Sequence, residues 1–149
     1  MITYCTATSS DLPEVRALLA AAGLPQAGLE EHILNFMLAL EGDKVVGCAG
    51  LEIYQNSALL RSVAVAEEYR SLGIGAKLTE GMIGLARYKN LSSLSLLTET
   101  AADFFSRFGF AVVPRAELPA ALQASEELKG ACPDTAIAMT LSLTPPSED

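Results

Sequence analysis

The chain has 149 residues, half of them hydrophobic, and carries a formal charge of −8. That length suits one globular domain burying roughly two-thirds of its unfolded surface. The acidic balance, with lysine and arginine scattered, excludes the basic patch that a nucleic-acid or anionic-membrane surface needs. No stretch reaches the ~18 consecutive apolar residues of a bilayer span, and "MITYCTATSSDL" lacks a basic segment followed by an apolar one. A soluble, cytoplasmic protein is expected, with no signal peptide and neither membrane nor nucleic acid as partner.

"ITYCTAT" alternates and is β-branched, predicting a first strand. "DLPEVRALLAAAG" predicts a helix over residues 11–23. Asp11 is its expected cap, Glu14 completes a capping box, and Pro13 is tolerated in the first turn. Leu12, Val15, Leu19 and Ala22 form its apolar face, and Gly23 ends it. A short second helix is expected around "LEEHILNF". "FMLALEGDKVVGCAGLEIY" reads as a hairpin turning at "EGDK". "ALLRSVAVA" reads as a central strand covered on both faces, because it holds few polar residues.

Residues 74–89 predict a helix with Ile74, Leu78, Met82 and Leu85 on one side. "SSLSLLT" predicts a strand and "AADFFSRF" a short helix closed by Gly109. "FAVVP" and "TAIAMTLSL" complete the strands, with a helical connection near "LPAALQASEELK". This order describes an α+β or α/β domain on one mixed sheet, spanning residues 1–143, with "TPPSED" at 144–149 as a solvated tail.

Cys5, Cys48 and Cys132 form an odd, widely spaced set without a CxxC, so neither a disulfide framework nor a metal site is expected. Cys48, inside "VVGCAGL", reads as a small buried thiol. Cys132 lies in the loop "GACPDT" and reads as structural, with a reactive thiol as the alternative.

Residues 70–76, "RSLGIGA", stand between a buried strand and a helix start. Glycines there let the backbone take unusual dihedrals and approach a ligand closely. The first free amides of a helix, with the positive end of its dipole, make an anion site. A Rossmann fingerprint fails, because Leu78 stands where its third glycine belongs. A P-loop fails too, because Gly75 is followed by Ala76 rather than lysine. From these residues alone, an anion cradle and a plain helix-entry turn both stand.

The stretch "V-A-V-x-x-x-Y-R-S-L-G-I-G-A-x-L" resembles motif A of the GNAT superfamily of acetyl-CoA-dependent acetyltransferases, written [QR]-x-x-G-x-[GA]. Downstream, "TETAADFFSRFGF" resembles that family's motif B, N-x-x-A-x-x-F-Y-x-x-x-G-F. The element order is similar to the GNAT, or acyl-CoA N-acyltransferase, fold across almost the whole chain: an α+β, three-layer arrangement on a mixed sheet. The resemblance implies that backbone amides of Arg70, Ser71, Gly73, Gly75 and Ala76 bind the pyrophosphate of acetyl-CoA. It implies that Val63 and Val65 pair their backbone with the pantetheine arm. It further implies direct transfer, without acyl-enzyme or metal, with the Val63 amide as oxyanion donor. Leu72 stands where many relatives carry a basic residue. Thr98 takes the place of motif B's asparagine and is expected to meet a pantetheine amide. Phe105 takes the place of the tyrosine that protonates the leaving thiolate, so it lines the cofactor but brings no proton. Tyr54, Tyr69 and Tyr88 are the other candidates for that role.

For the acceptor, Glu52 draws notice because it interrupts the apolar strand "GCAGLEIY". A carboxylate among apolar neighbours holds a proton more readily than one in water, which suits abstraction from an ammonium group; a solvent-facing carboxylate is the alternative. Arg61, in "ALLRSVAV", falls by alternation on the face of Val63 and Val65, where it is a candidate to bind an acceptor carboxylate. Snorkelling, or pairing with Glu52, is the alternative. His32 sits on the second expected helix, a segment that borders the acceptor site in GNAT proteins, and a plain surface histidine is the other reading.

The resemblance implies an N-acetyltransferase acting on a small amine or amino-acid-like acceptor. Its rivals are a module that binds CoA without transfer and a protein N-acetyltransferase. "GLEIYQNSALLRSVAV", "LLTETAADFFSRFGF" and "ACPDTAIAM" together resemble a short GNAT branch linked with arsenic-resistance gene clusters, which suggests a toxic antimetabolite as acceptor. By analogy with the family, a homodimer through the apolar C-terminal strand is the expected assembly.

Overall fold

The structure is a computed structural model and describes residues 1–143; the expected tail at 144–149 lies outside the described residues. Seven strands form one sheet: β1 (Ile2–Thr6), β2 (Phe36–Glu41), β3 (Lys44–Tyr54), β4 (Ser57–Val65), β5 (Ser93–Thr98), β6 (Ala111–Val113) and β7 (Ile137–Ser142). Their order across the sheet is β1-β2-β3-β4-β5-β7-β6. β1 and β2, β2 and β3, β5 and β7, and β6 and β7 pair antiparallel, whereas β4 and β5 run parallel through Ser57–Leu59. The helices are α1 (Leu12–Ala22), α2 (Leu29–His32), α3 (Ile74–Tyr88) and α4 (Ala102–Ser106). This is the mixed-sheet α+β class expected from the element order.

The chain divides into two compact units, Met1–Glu52 with Leu60–Met82, and Ile53–Leu59 with Ile83 onward. In the first, α1 forms because Val15, Leu18 and Leu19 recur at helical spacing, and all three are buried. They pack with Phe36, Leu38, Val45, Cys48 and Ala64 in one apolar cluster, against which Leu12 and Ala22 also rest. α1 ends at Gly23, whose φ of 70° is the left-handed value of a helix stop. Leu24 N–H then donates to Leu19 C=O at 3.0 Å, completing the Schellman pattern. The start of α1 departs from expectation. The Thr8 N–H donates to Asp11 Oδ2 at 2.8 Å, so the carboxylate serves a 3-10 turn at Ser9–Asp11 and makes no capping bond to α1. On β3, Cys48 joins the α1 cluster, while a Cβ at its neighbour Gly47 would meet Leu78 and Ile74 of α3. Successive strand residues face opposite ways, so here the sheet is covered on both sides. The second expected helix is one turn, α2, followed by a 3-10 turn at Ile33–Asn35.

In the second unit, Leu59, Leu118, Leu122 and Ala138 form a core with Tyr54, Leu97, Val113 and Leu128 against it. The expected helical connection at 118–129 is instead a 3-10 turn at Ala120–Ala124 and a wide turn at Glu127–Ala131, bent at Gly130 with φ 123°. β7 lies between β5 and β6. The apolar C-terminal strand pairs with β5 along Ile137–Ser142 and with β6 through Ala138–Thr140. Among the described residues no helix is long and apolar enough to cross a membrane.

Candidate active site

The first unit holds nine of the residues singled out in the sequence: Glu52, Arg61, Val63, Val65, Arg70, Ser71, Gly73, Gly75 and Ala76. After β4 the chain makes a 3-10 turn at Glu67–Tyr69 and enters α3 through Ser71 at φ 69° and Gly73 at φ 82°. Two left-handed residues in three reverse the chain sharply, and Gly73 holds that conformation without the steric cost of a side chain. The first helical bond of α3 runs from Lys77 N–H to Gly73 C=O, 3.1 Å. The amides of Ile74, Gly75 and Ala76 thus precede the hydrogen-bonded ladder, at the positive end of a fifteen-residue helix. Arg70 Nε donates to Val65 C=O at 3.0 Å and ties the loop to the end of β4. Amides, dipole and guanidinium suit a diphosphate.

Beside this loop a cleft of about 430 Å³ is lined by residues including Glu14, Leu18, Lys44, Glu67, Glu68 and Arg70. Glu68 is held below the usual carboxylate range by its own backbone hydrogen bond and by Lys44. Three carboxylates against two cations make the cleft a poor anion site, so the holding of phosphate falls to the amides of α3.

β4 is irregular at the point where chemistry is expected. Ser62 has φ 60° in mid-strand, a left-handed conformation uncommon for a side chain larger than hydrogen. Period-2 alternation breaks there, which removes the argument that put Arg61 on the face of Val63 and Val65.

Arg61 is instead enclosed. Its Nη1 donates to Glu52 Oε2 at 2.7 Å and to Ala27 C=O at 2.5 Å, its Nη2 to Pro25 C=O at 3.0 Å, and its Nε to Ser62 Oγ at 2.9 Å. Both side chains of the ion pair are buried, at 0% and 1% exposure. The pairing alternative describes Arg61: with these donors in use, its guanidinium clamps the α1–α2 loop to β4 rather than meeting an acceptor. The neighbours of Glu52 are polar as well as apolar. His32 Nε2 lies 3.8 Å from Glu52 Oε1, its side chain 13% exposed. The lone histidine is thus neither a surface residue nor separate from Glu52, and no spacing in the sequence links positions 32, 52 and 61.

Thr98 and Phe105 belong to the second unit. Thr98 Oγ1 accepts from Ala101 N–H at 3.0 Å, closing the loop into α4. Phe105 is buried and meets Phe104 and Phe110 edge-to-face, with centroids 5.0 and 6.0 Å apart. Tyr54 packs against the core of that unit, Tyr69 lies under Lys44 Nζ at 5.5 Å, and Tyr88 is exposed. Cys132 is buried, its Sγ donating to Glu127 Oε1 at 3.4 Å, which answers the structural reading of that thiol.

The family model of the acetyltransferase (GNAT) domain matches residues 32–112, more than half of the chain. The chain belongs to the GNAT family. The matched stretch begins at His32 and contains the ion pair, the α3 loop and Phe105. An uncharacterised N-acetyltransferase of Chlorobaculum tepidum is 32% identical to this GNAT chain over 90 residues, 60% of this chain and 57% of that protein. An amino-acid acetyltransferase of Pseudomonas putida is 36% identical over 95 residues, 62% of this chain and 22% of its own length. The chain therefore spans less than two thirds of either relative. N-acetylglutamate synthase from Neisseria gonorrhoeae, solved with coenzyme A and N-acetyl-glutamate, superposes with a TM-score of 0.81 at 23% identity, covering 97% of this chain and 36% of that one. At that identity the likeness is one of fold, and it is the GNAT fold.

Proposed function

We propose that this GNAT chain is an acetyl-CoA-dependent N-acetyltransferase that moves acetyl directly to a small amine or amino-acid-like acceptor. The observation that carries the proposal is the row of leading α3 amides behind Gly73. Amides of Ser71, Gly73, Gly75 and Ala76 hold the diphosphate, that of Arg70 donating to Glu67 C=O at 3.3 Å, and the backbone at Val63 and Val65 pairs with the pantetheine. The names of relatives that act on amino acids support that acceptor class.

In the transfer, a new carbon–nitrogen bond forms as the thioester carbon–sulfur bond breaks, and the sulfur leaves as thiolate. The Val63 N–H donates to the carbonyl oxygen as it becomes an oxyanion. One ammonium proton of the acceptor passes to the Glu52–His32 pair before attack, and the second proton that the nitrogen sheds as the amide forms passes to water or to the released thiolate. Glu52 is sealed from solvent while His32 keeps a small exposed edge, so the first proton enters through the imidazole. Phe105 has no proton to give, and a thiolate leaves without one.

Calorimetry with CoA, followed by a thiol-release assay over amines, amino acids and arsenical and phosphinic analogues, tests the proposal. Binding with release for at least one acceptor is the expected result, and no CoA binding overturns it. Binding without release across the whole panel favours the CoA-binding module that Phe105 suggests.

A further inference from the structure

The thiol of Cys48 is fully buried on β3, in a protein whose proposed chemistry needs no cysteine nucleophile. Its Sγ donates to the backbone carbonyl of Ser62 at 3.1 Å. The same sulfur is approached by the backbone N–H of Ala64. One side chain therefore answers the two polar groups on either side of Val63 along one edge of β4, the Ser62 C=O and the Ala64 N–H. Ser62 itself holds a left-handed φ of 60° within β4, so the carbonyl that the thiol meets belongs to the irregular residue.

The peptide itself is trans, as are all those described. Its carbonyl and its N–H must point in opposite directions within one plane. A carbonyl pinned by Cys48 leaves the Val63 N–H facing the other way. Arg61 fixes the preceding residue, because its Nε holds Ser62 Oγ while the rest of the guanidinium is anchored by Glu52, Pro25 and Ala27.

We propose that Cys48 is a positioning residue for acetyl transfer: together with Arg61 it locks the Ser62–Val63 peptide so that the Val63 amide is aimed at the developing oxyanion. The inference rests on the reading of Val63 as oxyanion donor. Strained backbone kept in place by surrounding side chains is a device found at functional sites, and here each restraint is a named contact. Burial pushes the thiol up to about 12, against the opposing pulls of the Ala64 amide and the Arg61 charge. It therefore stays protonated, and a donor, wherever acetyl transfer would be measured.

The test compares Cys48→Ala, Cys48→Val and Cys48→Ser with the parent chain, reading kcat, the acetyl-CoA KM and calorimetric CoA affinity on folded protein. Loss of a well-placed oxyanion donor lowers kcat by about 100-fold or more, so an amide that is kept but poorly aimed should lose about tenfold. Cys48→Ala is expected to show that fall in kcat with the CoA affinity unchanged, and Cys48→Ser, which retains a donor, to recover most of it. Cys48→Val, which fills the space without a donor, carries the comparison if the alanine variant fails to fold. A parent chain that turns over and whose alanine or valine variant keeps its kcat overturns the inference while leaving the transferase reading intact. Equal losses in the serine and valine variants also overturn it, since packing alone would then explain them. A parent chain that releases no thiol removes the transferase reading and this one with it.

Discussion

Arg61 and Glu52 interrupt two otherwise apolar strands, and the fold brings them together in its interior. A buried ion pair is weak support for stability, because each charge loses its hydration. Removing one partner is different, since the other is left buried and uncompensated. Arg61→Met is expected to destabilise by about 3–5 kcal/mol, read from urea unfolding midpoints. The double variant Arg61→Met with Glu52→Leu should cost less than that single change, because no charge remains stranded. A single-variant loss under about 1 kcal/mol would mean that the pair behaves as though exposed. At this scale the sequence was partly legible. It marked both residues as out of place, and it allowed their pairing. It gave no sign of Ser62, because a left-handed serine in a strand has no compositional signature, and it left Cys48 as a space-filling thiol.

Helix and strand elements were the most legible level. The 3.6-residue spacing of Ile74, Leu78 and Met82 predicted α3, and all three are buried. Glycine positions in these elements have opposite meanings that only the packing separates. A Cβ at Gly50 would overlap the ring of its cross-strand partner Phe36, which is buried at the centre of the α1 cluster. Gly84, within α3, has nothing near its Cβ position. Gly50→Ala is expected to destabilise by about 1–3 kcal/mol through overpacking, and Gly84→Ala to stabilise by about 0.5–1 kcal/mol through helix propensity. Opposite shifts in thermal midpoint confirm the pair; shifts of the same sign refute it. The short segments were less legible. The stretch at 118–129 has helix-forming composition, but extended backbone at Ser125, with ψ 135°, divides it into separate turns.

For the molecule as a whole, the buried thiol sets a stability trend at high pH. Its ordinary value is 9.0 and burial raises it to about 12. Below 9.0 the thiol is protonated whether the chain is folded or not, and the stabilising contribution is fully present. Between those values the unfolded state binds fewer protons, so stability falls as pH rises, by about 1.4 kcal/mol per unit. Tyrosines and lysines titrate over part of the same range, so the useful readout is a difference. From about pH 8 to about pH 10 the parent chain should lose about 1 kcal/mol more than Cys48→Ser, which has no thiol to ionise. Parallel pH profiles of the two proteins would show that the thiol is not sequestered.

Within the chain, the sequence by itself determined the element order, the sheet class and the glycine turn ahead of α3. Each of these is a local property, set by hydrophobic period, by turn chemistry and by the conformational freedom of Gly73. The two motifs also carried the family, because their spacing is written along the chain. Tertiary structure alone decided what the conspicuous polar residues do. His32, Glu52 and Arg61 meet only because a helix turn and two strands converge, and burial then obliges each polar group to find a partner. The orientation of the Val63 amide was likewise beyond the sequence, since a peptide plane is aimed by what its neighbours touch.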